Sequence, residues 1–358
     1  QASKQASKQA SKQASKQASK QASKQTSKQA SKDYSISFAR FVAMIFIVTC
    51  HILQFYNNEL CWWFNVGVQM FFFISGYLYS NREISDSVGF VAKQFIKILV
   101  PYYICIIITW GVGLILHVGC GLKQLFHLAV INGTGGFSSL SHVWFITYIL
   151  ICYLITPALL RMQIVSKNIK KSVIRTGLLL LAMLLFFELF AQYYNAAWII
   201  CYVLGIVLGE FEIVLTKKIV KLWKVIIIAS ALFSNAVKIF CQNIAQIEFN
   251  GFSRYSNYTH VLLGIALVII LMELYKVILN GKCVKMLDLS DKYSYFIYLT
   301  HHIFILGAFS LLNMIENLGI AIIGVVICTL VTAVLLHKIS KTVNPMAQKM
   351  INWISVDE

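Results

Sequence analysis

The chain has 358 residues, of which 58% are hydrophobic and only 13% are charged, and its formal net charge is +17. Soluble domains are about 45–50% apolar and about 25% charged, so this composition excludes a water-soluble globular enzyme and a disordered protein. A polytopic membrane protein remains, because apolar runs of about 20 residues can each cross the hydrocarbon core as a helix.

Residues 1–32 are eight Gln-Ala-Ser-Lys units, in which Thr26 is the single departure. A four-residue period drifts around a helix and leaves no apolar stripe, so we predict a solvated, disordered basic tail. The tail lacks the apolar core of a signal peptide. A repeated four-base unit, GCAA, encodes Ala-Ser-Lys-Gln when it is read in triplets. We therefore expect a tetranucleotide tract that slips during replication and switches the reading frame on and off, which is phase variation.

Apolar runs with polar breaks follow the tail and predict an all-α, polytopic membrane protein with about ten transmembrane helices. They do not alternate in polarity, as the strands of a membrane β-barrel would. The membrane domain is expected over 33–340, with a cytoplasmic tail at 341–358 and the longest non-helical stretch at 118–141. The predicted spans are 38–56, 62–80, 96–117, 142–160, 174–192, 196–213, 222–241, 260–279, 294–312 and 318–337.

The positive charges predict the orientation. With the N-terminus in the cytoplasm, the inner loops and the C-terminal end hold nineteen Lys and Arg residues besides those of the tail, against Lys123, Lys238 and Arg254 on the outer side. Inner loops of membrane proteins are enriched in Lys and Arg, so both termini are expected in the cytoplasm. The basic balance then reflects topology, and no nucleic-acid partner is expected.

Arg40 and His51 both lie in the first predicted span. Eleven residues make three helical turns plus about 20°, so both side chains project from one face, separated by about 16 Å along the axis. Arg40 alone could be an anchor at the inner boundary, and His51 alone could form a packing hydrogen bond. Ionisable groups at such depth usually line a cavity, so the pair favours a functional site.

Small and basic residues follow the first span. Ser75 and Gly76 are small enough to permit close helix approach. Lys93 and Lys97 lie one turn apart just before Pro101 and suit phosphate groups, although a plain topology signal explains them equally well.

Polar and aromatic residues recur in later spans. His142 and Trp144 are expected at the outer interface, where Trp commonly anchors a helix. Tyr298 and His301 are neighbours on the ninth span, at about two turns from its inner end, and His302 follows them.

The remaining ionisable candidates are Glu188 and Glu273, the latter more typical of a charged helix end. The nine cysteines show no CxxC pair and no metal-binding pattern. Cys61 and Cys120 could face the outer side, but nothing indicates that they pair.

Taken in order, these elements resemble the membrane acyltransferase-3 family over about 33–340. The matching elements are Arg40 with His51, Phe72-Phe-Ile-Ser-Gly-Tyr-Leu78, the basic segment before Pro101, His142-Val-Trp144-Phe and Tyr298-Leu-Thr-His301.

The resemblance implies a ten-helix domain that takes an acyl group, usually acetyl, from cytoplasmic acyl-CoA and transfers it to a sugar hydroxyl of a bacterial surface glycan. It implies that Arg40 and His51 are the catalytic pair, that acetyl-CoA is a donor substrate with no bound cofactor or metal, and that the protein lies in the inner membrane among lipids. The family usually has Arg-x-x-Arg ahead of the proline, whereas Gln94 and Lys97 stand here.

The residues themselves suggest a mechanism that agrees with the resemblance. Arg40, Lys93 and Lys97 would meet the anionic CoA from the cytosol, and His51 would act as a base or accept the acyl group covalently. Trp144, His142, Tyr298 and His301 are the candidates for lining the cavity or binding the acceptor, possibly a lipid-linked glycan. Because frame switching suits structures exposed to immunity, lipopolysaccharide or capsule is the expected acceptor.

Two other functions stay open at this point. One is a transporter or flippase for a lipid-linked glycan, which would usually show internal repeats and broken helices. The other is a non-catalytic partner in a glycan-assembly complex, in which variants of Arg40 or His51 would keep normal function.

Overall fold

The structure is a computed structural model that describes residues 32–118, 121–129, 138–190, 195–245 and 252–354. The predicted disordered tail, apart from Lys32, and Cys120 lie outside the described residues. Within the described ranges the regular structure is helical and no strand is present, so the all-α prediction is confirmed.

The helices are numbered in chain order. A 3₁₀ turn, Ser138–Val143, precedes α6, and π-helical turns at Phe240–Ile244 and Tyr275–Leu279 extend α9 and α10. The helices are α1 Tyr34–Phe55, α2 Cys61–Phe64, α3 Val66–Tyr77, α4 Ser87–Ile115, α5 Leu122–Ala129, α6 Trp144–Arg161, α7 Ile169–Phe190, α8 Ala196–Val214, α9 Lys217–Ile239, α10 Phe252–Leu274, α11 Val284–Ile305, α12 Leu311–Met314 and α13 Leu318–Ile354.

Among the described residues, eight helical segments are long and apolar enough to cross a membrane. This finding supports a multi-pass membrane protein with a span count near the predicted ten. The other two predicted spans are also helical but differ in character. The first is divided between α2 and the 12-residue α3. The second is α11, whose first half carries four charged residues.

The ninth predicted span, 294–312, has wrong boundaries. α11 begins at Val284, ten residues earlier, and ends at Ile305. Lys285, Asp288, Asp291 and Lys292 suggested a loop in the sequence, but they form the first turns of this helix. His302 therefore lies in the last turn of α11 and His301 directly precedes that turn, so neither is two turns from the start of the helix.

The prediction of a non-helical segment at 118–141 is also wrong. α5 lies within it and is held by α4, because the hydroxyl of Tyr102 donates to the carbonyl oxygen of Leu128 at 2.7 Å. Leu128 is buried in that contact. The predicted tail after residue 340 is helical as far as Ile354, because α13 continues through it.

α3 packs against α8 and α10 within the bundle. A Cβ atom at Gly76 would collide with the carbonyl oxygen of Tyr202, and one at Gly205 would collide with that of Phe73. These two glycines let the α3 and α8 backbones touch, so the close approach predicted at Gly76 is confirmed.

Two contacts set α1 and α11 parallel and in register. Arg40 contacts Asp291 near the start of both helices, and His51 contacts His302 near their ends. The offset between partners is 251 residues in both pairs, since 302 − 51 equals 291 − 40. We call the end of the bundle at Arg40 and Asp291 the basic end, and the end at His51 and His302 the opposite end.

Candidate active site

An ion pair joins α1 and α11 at the basic end. Nη1 of Arg40 lies 2.8 Å from Oδ1 of Asp291, and the Ser37 hydroxyl donates to Oδ2 at 2.6 Å. The side chains of Arg40 and Asp291 are 21% and 13% exposed. The ion pair uses only one of the guanidinium nitrogens, so Arg40 is fixed in place while it keeps N–H donors for an anionic ligand.

His51 lies three turns further along α1. Its Nδ1 is 3.0 Å from the side-chain oxygen of Gln54, which is one turn away. An amide oxygen can only accept, so Nδ1 carries the hydrogen and Nε2 keeps the lone pair that a general base needs.

The ring of His302 packs edge-on against His51, with 4.6 Å between ring centroids. Nδ1 of His302 donates to the carbonyl oxygen of Ser139 at 3.1 Å, and its Nε2 lies 3.4 Å from the hydroxyl of Ser141. The 3₁₀ turn before α6 therefore fixes the orientation of His302 beside His51.

His142 and Tyr298 attach that turn to α11 by reciprocal hydrogen bonds. Nε2 of His142 donates to the carbonyl oxygen of Tyr298 at 2.8 Å, and the Tyr298 hydroxyl donates to the carbonyl oxygen of His142 at 2.7 Å. His301 is fully buried behind His51, at 5.3 Å between centroids, and its Nδ1 donates to backbone carbonyls of its own helix. These hydrogen bonds hold the imidazole cluster rigid.

A cavity of about 990 Å³ connects the two ends, and both Arg40 and His51 line it. Its basic end is rich in cations, while Trp62, His142 and Trp144 line its opposite end. The cations that line the basic end are Arg40, Arg82, Lys97, Lys292 and Lys341.

The predicted site residues divide into three groups. Arg40, His51, Lys97, His142, Trp144 and Tyr298 line this cavity together, and so does Gln94. Lys93 is exposed and does not line the cavity. His301 does not line it either, because it is buried behind the lining residues. Glu188 is also absent from the lining, and Glu273 pairs with Lys224 at 2.9 Å.

Sequence reasoning missed Asp291 and the role of His302. No local pattern links Asp291 to an arginine 251 residues earlier. The sequence does contain one indication of both residues. Asp291 and His302 are 11 residues apart, which is the same spacing as that of Arg40 and His51.

The imidazole cluster does not have the form of a metal site. Within the part of the chain that the structure describes, no group of three or more His, Cys, Asp or Glu side chains could hold a metal ion. Cys61, which lines the cavity, is a free thiol.

A family model described as an acyltransferase domain, Acyl_transf_3, matches residues 33–337. The chain belongs to the acyltransferase-3 family. This match covers all of the cavity-lining residues except Ser340, Lys341 and Asn344, and it supports a membrane acyltransferase. No curated protein and no solved structure matches the chain.

Proposed function

We propose that this acyltransferase takes an acetyl group from acetyl-CoA on the cytoplasmic side of the bacterial inner membrane and transfers it to a hydroxyl of a surface glycan, either lipopolysaccharide or capsule. The observation that carries the proposal is one cavity that joins a cationic end to a half-buried imidazole. A donor and an acceptor could meet in such a cavity from opposite sides of the bilayer.

The donor would bind at the basic end. Coenzyme A carries several phosphate charges, and Arg82, Lys97 and Lys341 could contact them where the cavity opens. Arg40 would add guanidinium N–H donors further inside, held by Asp291. Lysine and arginine at such positions are typical phosphate ligands. The flexible pantetheine arm would then extend along the cavity towards His51.

His51 would act as the general base. Nε2 takes the proton from the acceptor hydroxyl, the oxygen attacks the thioester carbonyl, the C–S bond breaks, and the CoA thiolate leaves and is protonated. The hydrogen bond from Nδ1 to Gln54 would hold the reactive tautomer and stabilise the imidazolium that forms. The covalent alternative, in which His51 itself carries the acetyl group, needs the same lone pair.

The acceptor would approach from the opposite end, where Trp62 and Trp144 line the cavity. Indole rings are suitable surfaces for the apolar faces of sugars. Trp144 is supported from behind by Trp198, with 4.3 Å between ring centroids. Tyr298 and His142 would border the same space.

Acetyl transfer is tested with the purified protein in lipid vesicles, using radiolabelled acetyl-CoA and surface glycan extracted from cells that lack the gene. Wild-type protein should move label to the glycan, while His51→Ala should insert normally and move none. Full transfer by His51→Ala would contradict the mechanism. Label trapped on denatured wild-type protein, and absent from His51→Ala, would identify the covalent route.

Phase variation is tested on the gene and on the glycan together. We expect codons of one repeating four-base unit for 1–32, and we expect cells with the frame on and off to differ by one acetyl mass per modified sugar. Mixed codons would contradict the slippage mechanism and leave the enzymatic proposal standing.

A further inference from the structure

A second polar cluster, which the mechanism above does not use, lies at the opposite end of the bundle between α2, α3, α9 and α10. Nζ of Lys238 lies 3.1 Å from the centroid of the Trp62 ring and 5.2 Å from that of Trp63. The ring of His260 lies 3.5 Å from Trp62, centroid to centroid. Lys238 is 6% exposed and His260 is fully buried.

Among the described residues, Lys238 is a buried lysine without an anionic partner. Its contacts are the two indole rings, and no carboxylate of the described residues forms an ion pair with it. A cation–π contact offsets only part of the cost of removing an ammonium group from water. Among the described residues no carboxylate compensates the ammonium group of this cluster, and a bound anion would balance its charge.

Unpartnered hydrogen-bonding groups lie on the neighbouring helices α3 and α10. Both ring nitrogens of His260 and both polar side-chain atoms of Gln69 are buried and make no hydrogen bond. Gln69 lies near His260, because a Cβ atom at Gly264, one turn after His260, would lie 2.7 Å from Cβ of Gln69. Asn235, one turn before Lys238, donates to the carbonyl oxygen of Thr259 and so fixes α9 against α10 beside the cluster.

Trp62 connects the cluster to the cavity. It lines the cavity, whereas Lys238 does not, so the indole ring separates the ammonium group from the space in which the acceptor would bind. An anionic group that displaces Trp62 would meet the ammonium of Lys238, an imidazole N–H and an amide N–H. Such a set of donors suits the oxygens of a carboxylate or phosphate.

We propose that Lys238, His260 and Gln69 form an acceptor subsite for an anionic group, with Trp62 as its movable cover. The inference rests on the proposed function, because it assigns the acceptor class: a glycan that carries an oxyanion, not a neutral one. The oxyanion could be the carboxylate of an acidic sugar or the phosphate of a lipid carrier, and both present the same chemistry to Lys238.

Binding of small anions to the purified full chain tests the subsite without any acyl donor. Glucuronate, glucose 1-phosphate and glucose are titrated in turn while tryptophan fluorescence reports on Trp62. We expect a saturable change with at least one charged probe and none with glucose. Lys238→Met should weaken that binding at least about tenfold, and Lys123→Met, at an exposed lysine outside the cluster, should leave it unchanged.

The outcomes separate the two sources of the oxyanion and the two proposals. Binding of glucuronate alone indicates an acidic sugar, and binding of glucose 1-phosphate alone indicates a phosphate group. If Lys238→Met does not fold, Lys238→Arg should keep binding and Lys238→Gln should lose it. Wild-type protein that binds neither anion, or a charge-removing variant that binds as wild type does, overturns the subsite.

Acetyl transfer provides the independent readout. Normal anion binding without any acetyl transfer would remove the proposed function and leave the subsite. Acetyl transfer to an anionic glycan with the same KM in wild type and in Lys238→Met would remove the subsite and leave the proposed function.

Discussion

The two ends of the cavity differ in how exposed and how firmly held their side chains are. At the basic end the lining lysines and Arg82 are exposed, and Arg40 is the lining cation that a carboxylate of the described residues holds. At the opposite end His142 and His302 are 3% and 1% exposed, and backbone carbonyls fix both rings. Exposed charges attract a ligand through a screened field and tolerate small displacements, whereas proton transfer needs a fixed distance. Substitutions at the opposite end should therefore change rates, and those at the basic end should change donor affinity.

The largest effect is expected for His51. Removing a general base typically lowers the rate by about 10²–10⁴-fold, so His51→Ala should reduce kcat by that factor while the binding of acetyl-CoA is retained. Transfer rates and equilibrium binding are measured on the same preparation. Gln54→Ala, which removes only the hydrogen bond to Nδ1, should cause a smaller loss, and an equal loss would mean that the tautomer held by Gln54 is as necessary as the imidazole itself.

The Arg40–Asp291 pair should affect donor affinity and stability together. Arg40→Ala should raise the KM for acetyl-CoA about tenfold or more and lower the melting temperature, because a half-buried Asp291 would lose its partner. Asp291→Asn should lower the melting temperature with a smaller change in KM.

The double variant of this pair provides the control. Residues in one ion pair show non-additive effects, so the loss of melting temperature in the double variant should be smaller than the sum of the two single losses. Additive losses would contradict an energetic coupling between α1 and α11 at this point.

A variant of His302 should change the catalytic rate without changing donor affinity. His302→Phe keeps an aromatic ring against His51 but removes the hydrogen bond to Ser139, so we expect kcat to fall about tenfold with an unchanged KM for acetyl-CoA. His337→Phe makes the same change in a residue that lines the basic end, and it should raise KM more than it lowers kcat. The reverse pattern would contradict the assignment of catalytic rate to the opposite end and donor affinity to the basic end.

The smallest effect is expected for Lys97. Lys97→Ala should raise the KM for acetyl-CoA about fivefold, because it removes one partly screened contact to phosphate worth about 1 kcal/mol. Lys93→Ala removes the same charge from the same helix at a position outside the lining, and it should leave KM within about twofold. Equal effects would show that these lysines act through overall charge and not through contact.

The sequence predicts the basic end better than the opposite end. Apolar runs and loop charges identify the helices and the cationic boundary, and the 11-residue spacing places Arg40 and His51 on one face of α1. The ninth span was misplaced because Lys285 to Lys292 read as a loop, although that segment is helical. With these wrong boundaries, the sequence could not indicate that α11 lies parallel to α1 and in register with it.

Long-range contacts explain what else was missed. The pairing of Arg40 with Asp291, and of Trp62 with Lys238, joins residues that are far apart in the chain. The sequence alone does not reveal such pairs, because a lysine near the end of a predicted span is typical of a topology signal. The sequence places Lys238 among the three basic residues of the outer side, and only the contacts of Trp62 with Lys238 and His260 show its environment.

The length of α13 has a consequence for the lipids around the protein. Its 37 residues extend about 55 Å as a helix, whereas the hydrocarbon core is about 30 Å thick. Ser340, Lys341 and Asn344 border the cavity on the far part of this helix. If the hydrocarbon core begins at the N-terminal end of α13, the mouth at the basic end would lie at the level of the headgroups. Anionic headgroups and the phosphates of the donor would compete for the same lysine there. Under the proposed function, the surface charge of the membrane, set by its phospholipid composition, would then influence how readily the donor reaches the enzyme.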